Sequence, residues 1–136
     1  MKNIIYIKKD IPDISEFILR KTEDNVYCFH GQMGVGKTTL IKAMLQGLGA
    51  KDAGHSPTFG LVNEYHDVHG QPLAYHFDFY RIHSEEEVYD MGFEDYVNRG
   101  AYVFIEWPER IPNLLPEDAV HIKLQLVDEN TRRIEF

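Results

Sequence analysis

Cysteine occurs once in the 136 residues, at Cys28, so no internal disulfide can form and a reducing, cytoplasmic setting is expected. No apolar run approaches the ~18 residues of a membrane span, so no membrane role is expected. The opening Met1–Asp10 stretch is interrupted by charge too soon to read as a signal peptide. Positive charge is scarce: 14 Lys and Arg against 22 Asp and Glu leave a net charge of −8. Lys and Arg contacts to phosphate dominate nucleic-acid affinity. A chain this acidic is therefore a poor autonomous binder of RNA or DNA, and any role beside RNA has to run through a partner. There is no internal repeat, low-complexity stretch or linker-like composition shift, so one domain spanning residues 1–136 is expected.

The 43% of hydrophobic residues is enough for a real core, and its spacing outlines the elements. Ile4–Ile7 reads as a strand. Asp10 then caps a helix with Pro12 in its first turn and Ile11, Ile14, Phe17 and Ile18 as its apolar stripe. Residues 25–30 and 101–106 are mostly apolar runs, the signature of buried strands. Between them, Thr38–Leu48 puts Leu40, Ile41, Met44, Leu45 and Leu48 on one helical face, with Gly49 where a C-cap belongs. Phe59–His66 and Pro72–Asp78 are strands joined by a hairpin connection at 67–71. Ser84 and Glu87 have capping-box spacing for a short helix that ends near Met91–Gly92. Val120–Leu126 alternates as a half-exposed strand paired with 132–136 across the 128–130 turn. Helices interleave with strands early and hairpins follow, which implies an α/β fold with a mixed central sheet flanked by helices.

The chemistry is carried first by Gly31-Gln-Met-Gly-Val-Gly-Lys-Thr38, which satisfies G-x-x-x-x-G-K-[ST], the P-loop. The glycines let successive N–H groups turn toward a phosphate, and the following helix adds its positive end. Met33, Gly34, Val35, Gly36, Lys37, Thr38 and Thr39 are the expected phosphate-binding residues. Lys37 reaches the β- and γ-phosphates, and the Thr38 hydroxyl is a ligand for Mg²⁺. A P-loop NTPase fold holding nucleotide phosphates with Mg²⁺ is expected, the alternative being a glycine-rich turn with an incidental Lys.

Such a site needs acids on neighbouring strands. Glu106 closes Tyr102–Glu106 in the pattern of a Walker B acid, and Asp78 closes Leu73–Asp78, with His76 on the same strand face. Each is either a metal or water acid or a solvated strand end. Thr58, in His55-Ser-Pro-Thr-Phe59, either meets Mg²⁺ or the γ-phosphate as a switch-loop threonine does, or begins a strand. There is no Asn-Lys-x-Asp guanine motif, no Leu-Ser-Gly-Gly-Gln signature and no length for a lid. The nucleotide site is near-minimal, and its effector surface is expected from another protein.

Four motifs together resemble the TsaE (YjeE) family, small P-loop ATPases of bacterial tRNA threonylcarbamoyladenosine synthesis. They are Gly31–Thr39, Ser56-Pro-Thr-Phe59, His76-Phe-Asp-Phe-Tyr-Arg81 and Glu106-Trp-Pro-Glu109. The resemblance implies Lys37, Asp78 and Glu106 in hydrolysis, Thr38, Glu106 and Thr58 around Mg²⁺, Thr58 sensing the γ-phosphate, and Trp107 beside the nucleotide. It also implies weak ATP hydrolysis, sharpened by the partners TsaB and TsaD. TsaD transfers the threonylcarbamoyl group to adenosine 37, so this chain meets tRNA only through the complex. From the residues alone, a small-molecule kinase or a nucleotide sensor that does not hydrolyse remains an alternative. Cys28 reads as a small core residue. The His66/His69/His76 set reads as hairpin histidines rather than a zinc site. Arg81 is an arginine finger or an ion-pair partner, and no motif assigns Arg110, Arg132 or Arg133.

Overall fold

Residues 26–29 and 103–106 are buried on both sides of their strands, which requires cover on both faces of a sheet. The structure is a computed structural model that describes residues 2–51 and 60–136. In chain order it contains β1 (Asn3–Ile7), α1 (Ile11–Lys21), β2 (Val26–His30), α2 (Lys37–Gly47), β3 (Val62–His66) and β4 (Pro72–Asp78). After these come α3 (Glu85–Asp90), α4 (Phe93–Val97), β5 (Tyr102–Glu106), β6 (Val120–Asp128) and β7 (Thr131–Glu135). Single 3₁₀ turns occupy Lys8–Asp10 and Pro108–Arg110. The strands form one sheet in the order β1-β7-β6-β2-β5-β4-β3. β2 lies parallel to β5 and β6, and β5 parallel to β4, while the β3–β4, β6–β7 and β1–β7 pairs are antiparallel. This is the expected mixed α/β sheet.

Strand alternation divides the core in two. Tyr27, Phe29, Ala74, Phe104, Ile122, Leu124 and Ile134 face α1 and α2, where Ile14, Ile18, Leu40, Ile41, Met44 and Leu45 meet them. Val26, Cys28, Tyr75, Phe77, Val103 and Ile105 point the other way, onto Val88 of α3, Phe93 of α4 and Ile111. Fully burying side chains such as Leu40 or Ile41 contributes roughly 1.5–3 kcal/mol each. The Cys28 thiol is in this second layer, and burial pushes its pKa up to about 12, in keeping with a small core residue.

Several local details differ from the sequence expectation. α2 runs one residue earlier than Thr38–Leu48, because Gly36 at φ 107° makes the left-handed step into the helix and Lys37 is already helical. The described part of the Phe59–His66 strand begins at Val62, and Gly60 and Leu61 form a turn. Asp10 stands at the N-cap of α1, but its carboxylate accepts the Ile7 N–H (3.0 Å) instead of a helical one. The reciprocal Ser84/Glu87 bonds are not formed. Ser84 makes no side-chain cap bond, and Glu87 accepts the His83 N–H (3.0 Å). α4 was not expected; it is five residues long and is separated from α3 by Gly92 at φ 90°. Two turns of expected chemistry are present: Asp67 accepts the N–H groups of His69 and Gln71, and Asp128 accepts that of Asn130.

Candidate functional site

β4, β5 and β2 end side by side, with Asp78 in register with Glu106 and Glu106 in register with Phe29. Their carboxyl ends open on one crevice, where open α/β sheets place ligands. The loop leaving β2 has to bend sharply there. A Cβ on Gly31 would stand 2.7 Å from Val35 Cγ1 and 2.9 Å from the Leu124 carbonyl oxygen, so only glycine fits. On the open side, Cβ atoms built on Gly34 and Gly36 would meet nothing within 4 Å, leaving the concave backbone clear for a phosphate. Val35 turns inward instead. Its side chain is fully buried, its N–H donates to the Gln32 carbonyl (3.2 Å) and its carbonyl accepts Arg132 Nε (2.9 Å).

Lys37 and Thr38 open α2 and face the acids across the crevice. Lys37 is 5% exposed, and Nζ donates to the Gly31 carbonyl (2.6 Å) while lying 3.5 Å from the centre of the Trp107 ring. Burial lowers its pKa, and Glu106, Glu109 and Asp78 oppose that shift. The Thr38 hydroxyl lies 2.9 Å from both oxygens of Glu106. His76 Nε2 is 2.7 Å from Glu106 Oε2, in a contact buried on both sides. Burial alone would raise the Glu106 pKa, but the His76 and Thr38 hydrogen bonds and the nearby Lys37 ammonium outweigh it and hold the pKa below the ordinary carboxylate value. An ionised carboxylate only accepts, so His76 carries its proton on Nε2.

Asp78 is exposed at the crevice, with its carboxylate accepting the Tyr80 N–H (3.1 Å). Trp107 adopts φ 59°, an uncommon backbone conformation for a residue with a bulky side chain, and it turns the chain from β5 into the Pro108–Arg110 turn. Its ring packs against Tyr80 at 5.0 Å between centroids and covers the Lys37 ammonium. The cavity measures about 970 Å³. Met33, Gly34, Gly36, Lys37, Thr38 and Thr39 line one wall, and Asp78, Glu106 and Trp107 line the other. Of the phosphate-binding residues expected from the sequence, Val35 alone does not line it. Thr58, with the rest of Ser56–Phe59, falls outside the described residues.

The donors fit a nucleotide with a divalent cation. The loop supplies backbone and an ammonium for phosphate. Thr38 Oγ1 and the Glu106 carboxylate are hard oxygen donors already brought together, the kind Mg²⁺ takes. Two further residues were not anticipated in their roles. His76 binds Glu106, and strand period had placed it only beside Asp78. Arg132 reaches the phosphate loop from β7. Arg81 lines the cavity, while Arg110 stands over the Tyr80 ring at 5.9 Å. His66 lies 3.8 Å from Glu64, and no group of three or more metal-ligating side chains occurs among the described residues. No helix of the described residues is long and apolar enough to cross a membrane.

Comparison with known proteins adds a separate line of support. The sequence profile described as "Threonylcarbamoyl adenosine biosynthesis protein TsaE" matches residues 7–134. A Haemophilus influenzae protein named tRNA threonylcarbamoyladenosine biosynthesis protein TsaE is 42% identical over 107 residues, covering 79% of this chain. This chain spans 66% of that relative's length, just under two thirds. Proteins of the same name from Treponema pallidum and Bacillus subtilis are 37% and 34% identical over 82% of this chain, covering 81% and 68% of their own lengths. The crystal structure of Bacillus subtilis YdiB superposes with a TM-score of 0.73 and 25% identity, covering 98% of this chain and 83% of that one.

Proposed function

The chain belongs to the TsaE family, and from that premise we propose that it binds ATP and ADP with Mg²⁺, hydrolyses ATP weakly by itself, and supports N6-threonylcarbamoyladenosine formation at tRNA position 37 by cycling on a TsaB–TsaD pair. The observation that carries the nucleotide reading is the meeting of Thr38 with both oxygens of Glu106 beside the Lys37 ammonium. The P-loop hydroxyl and the strand-end carboxylate are 68 residues apart in sequence and meet only through the fold. Their contact at the open end of the crevice is the arrangement that a phosphate-bound cation requires.

In this reading, Gly34, Gly36, Lys37, Thr38 and Thr39 hold the phosphates, and Thr38 and Glu106 hold Mg²⁺, with Thr58 as a further candidate. The ion supplies neutralisation of phosphate charge. Glu106, kept ionised by its partners, orients water in the crevice. His76 fixes the rotamer of that carboxylate through its 2.7 Å bond. Asp78 contributes negative charge beside the Lys37 ammonium and an acceptor at the crevice mouth. Trp107 forms an aromatic wall over the Lys37 end of the site. The acidic surface, at net −8, favours contact with a protein partner over direct tRNA binding.

Trp107 is the only tryptophan, so its emission reports directly on the site. Titration with ATP and Mg²⁺ is expected to change that emission, and Lys37→Ala is expected to abolish the response and the turnover. ATP turnover is expected to be slow for the chain alone and to rise on adding TsaB–TsaD. A Lys37→Ala variant that still turns ATP over normally would sink the site assignment. A turnover indifferent to the pair would sink the partner assignment and leave the nucleotide site standing.

A further inference from the structure

A side chain of β7, two strands from β2 in the sheet, reaches the loop that follows β2. Arg132, on β7, donates from Nε to the Val35 carbonyl (2.9 Å). Its Nη1 lies within hydrogen-bond distance of the carbonyls of Asp128 (3.1 Å), Thr131 (3.3 Å) and Glu129 (3.4 Å). The guanidinium therefore uses one edge on the nucleotide loop and the other on the β6–β7 turn, a two-sided grip that its planar fork allows and a single ammonium does not. It is half-buried, stacked in strand register between Tyr6 of β1 and Leu126 of β6.

The consequence lies in the Val35–Gly36 peptide. No described peptide bond is cis, and in a trans peptide the C=O and the following N–H point in opposite directions. Holding the Val35 carbonyl toward Arg132 turns the Gly36 N–H away from that side chain, and Gly36 and Lys37 themselves line the cavity. Gly36 is the left-handed residue at the entry to α2, with nothing within 4 Å of a built Cβ, so its own packing does little to hold that peptide. We propose that Arg132 is a positioning residue for nucleotide binding, which fixes the Val35–Gly36 peptide so that the Gly36 N–H is preset to receive a phosphate oxygen. The proposal rests on the nucleotide reading above. It adds that the affinity of the loop is set from the β6–β7 hairpin, a part of the chain far from the P-loop motif in sequence.

Isothermal titration of the full chain with ADP and with ATP, both with Mg²⁺, tests this because it returns affinity and stoichiometry separately. Arg132→Met keeps the aliphatic stem and removes the donors. It is expected to weaken binding by about tenfold or more with the stoichiometry still near one per folded chain, and Arg132→Lys is expected to fall between it and the unaltered chain. Arg133→Met, on the opposite face of the same strand, is expected to leave the Kd unchanged. A purely structural role for Arg132 would lower the competent fraction, so the stoichiometry would fall while the Kd stayed put, and that result would overturn the proposal. So would an unchanged Kd in Arg132→Met. If that variant does not fold, Arg132→Lys decides alone: a Kd equal to that of the unaltered chain overturns the proposal, and a several-fold weakening at full stoichiometry supports it. Failure of the unaltered chain to bind either nucleotide would instead remove the nucleotide reading itself, and this inference with it.

Discussion

At the scale of single residues, the site is organised around one carboxylate. Glu106 is 5% exposed, yet it is held ionised by His76 and Thr38 with Lys37 nearby. Its folded pKa lies below the ordinary 4.5, so the unfolded chain takes up the proton first as pH falls. The stability it contributes is complete above the unfolded value and is lost as pH drops through the folded one. Replacing it by the neutral isostere removes that dependence. Denaturant midpoints measured from pH 7 down to pH 3 should fall less steeply for Glu106→Gln than for the unaltered chain. The same variant is expected to bind ATP and to hydrolyse it poorly, and equal turnover in a phosphate-release assay would remove Glu106 from the chemistry. Lys37 is the counterpart. Burial weakens its hold on its proton, and its bond to the Gly31 carbonyl with the Trp107 ring above keeps the ammonium at the loop.

At the scale of elements, α2 does two jobs. Its first residues face the crevice, while Leu40, Ile41 and Met44 are fully buried against the sheet. The packing of the buried face sets where Lys37 and Thr38 stand. Leu40→Ala is expected to cost about 2–5 kcal/mol, through lost burial and the cavity it leaves, and to lower the urea midpoint accordingly. A loss under about 1 kcal/mol would mean that α2 is not anchored through this face. The C-terminal strands matter in the same way. β6 runs parallel to β2 and sends the Leu124 carbonyl against Gly31, and β7 carries the arginine that holds Val35. The loop is therefore shaped by elements about ninety residues away along the chain.

At the scale of the whole molecule, charge is the governing quantity. With 22 Asp and Glu against 14 Lys and Arg, the net −8 repels a phosphate backbone, and Lys37 and Arg132 are already engaged at the crevice and its loop. In a filter-binding assay at about 0.15 M salt, unmodified tRNA is expected to bind the chain alone no tighter than ~10⁻⁶ M, the range of non-specific contacts. Tight binding there would mean that the chain meets tRNA itself. The two-sided cover of the sheet is also a property of the whole. α1 and α2 close one face, and α3, α4 and the segment around Ile111 close the other.

The local chemistry was legible in the sequence. The P-loop is contiguous, so Gly31–Thr38 announced both a turn and the helix after it. The buried strands were visible as apolar runs, the hairpin turns as Asp67 and Asp128 with their neighbours, and the acids as strand-closing residues. What tertiary structure alone decided is who meets whom. Spacing could place His76 on the face of Asp78 but could not make β5 the neighbour of β4, so the His76–Glu106 bond was out of reach. Arg132 carried no motif, because its role depends on β7 folding back along β6 to stand beside the loop after β2. Ser84 and Glu87 had the right spacing for a capping box, and the chain direction at His83 spent the glutamate elsewhere. Backbone bending and helix starts are short-range effects written in neighbouring residues. Contacts between strands are set by the sheet order, which emerges only when all of the apolar faces are buried at once.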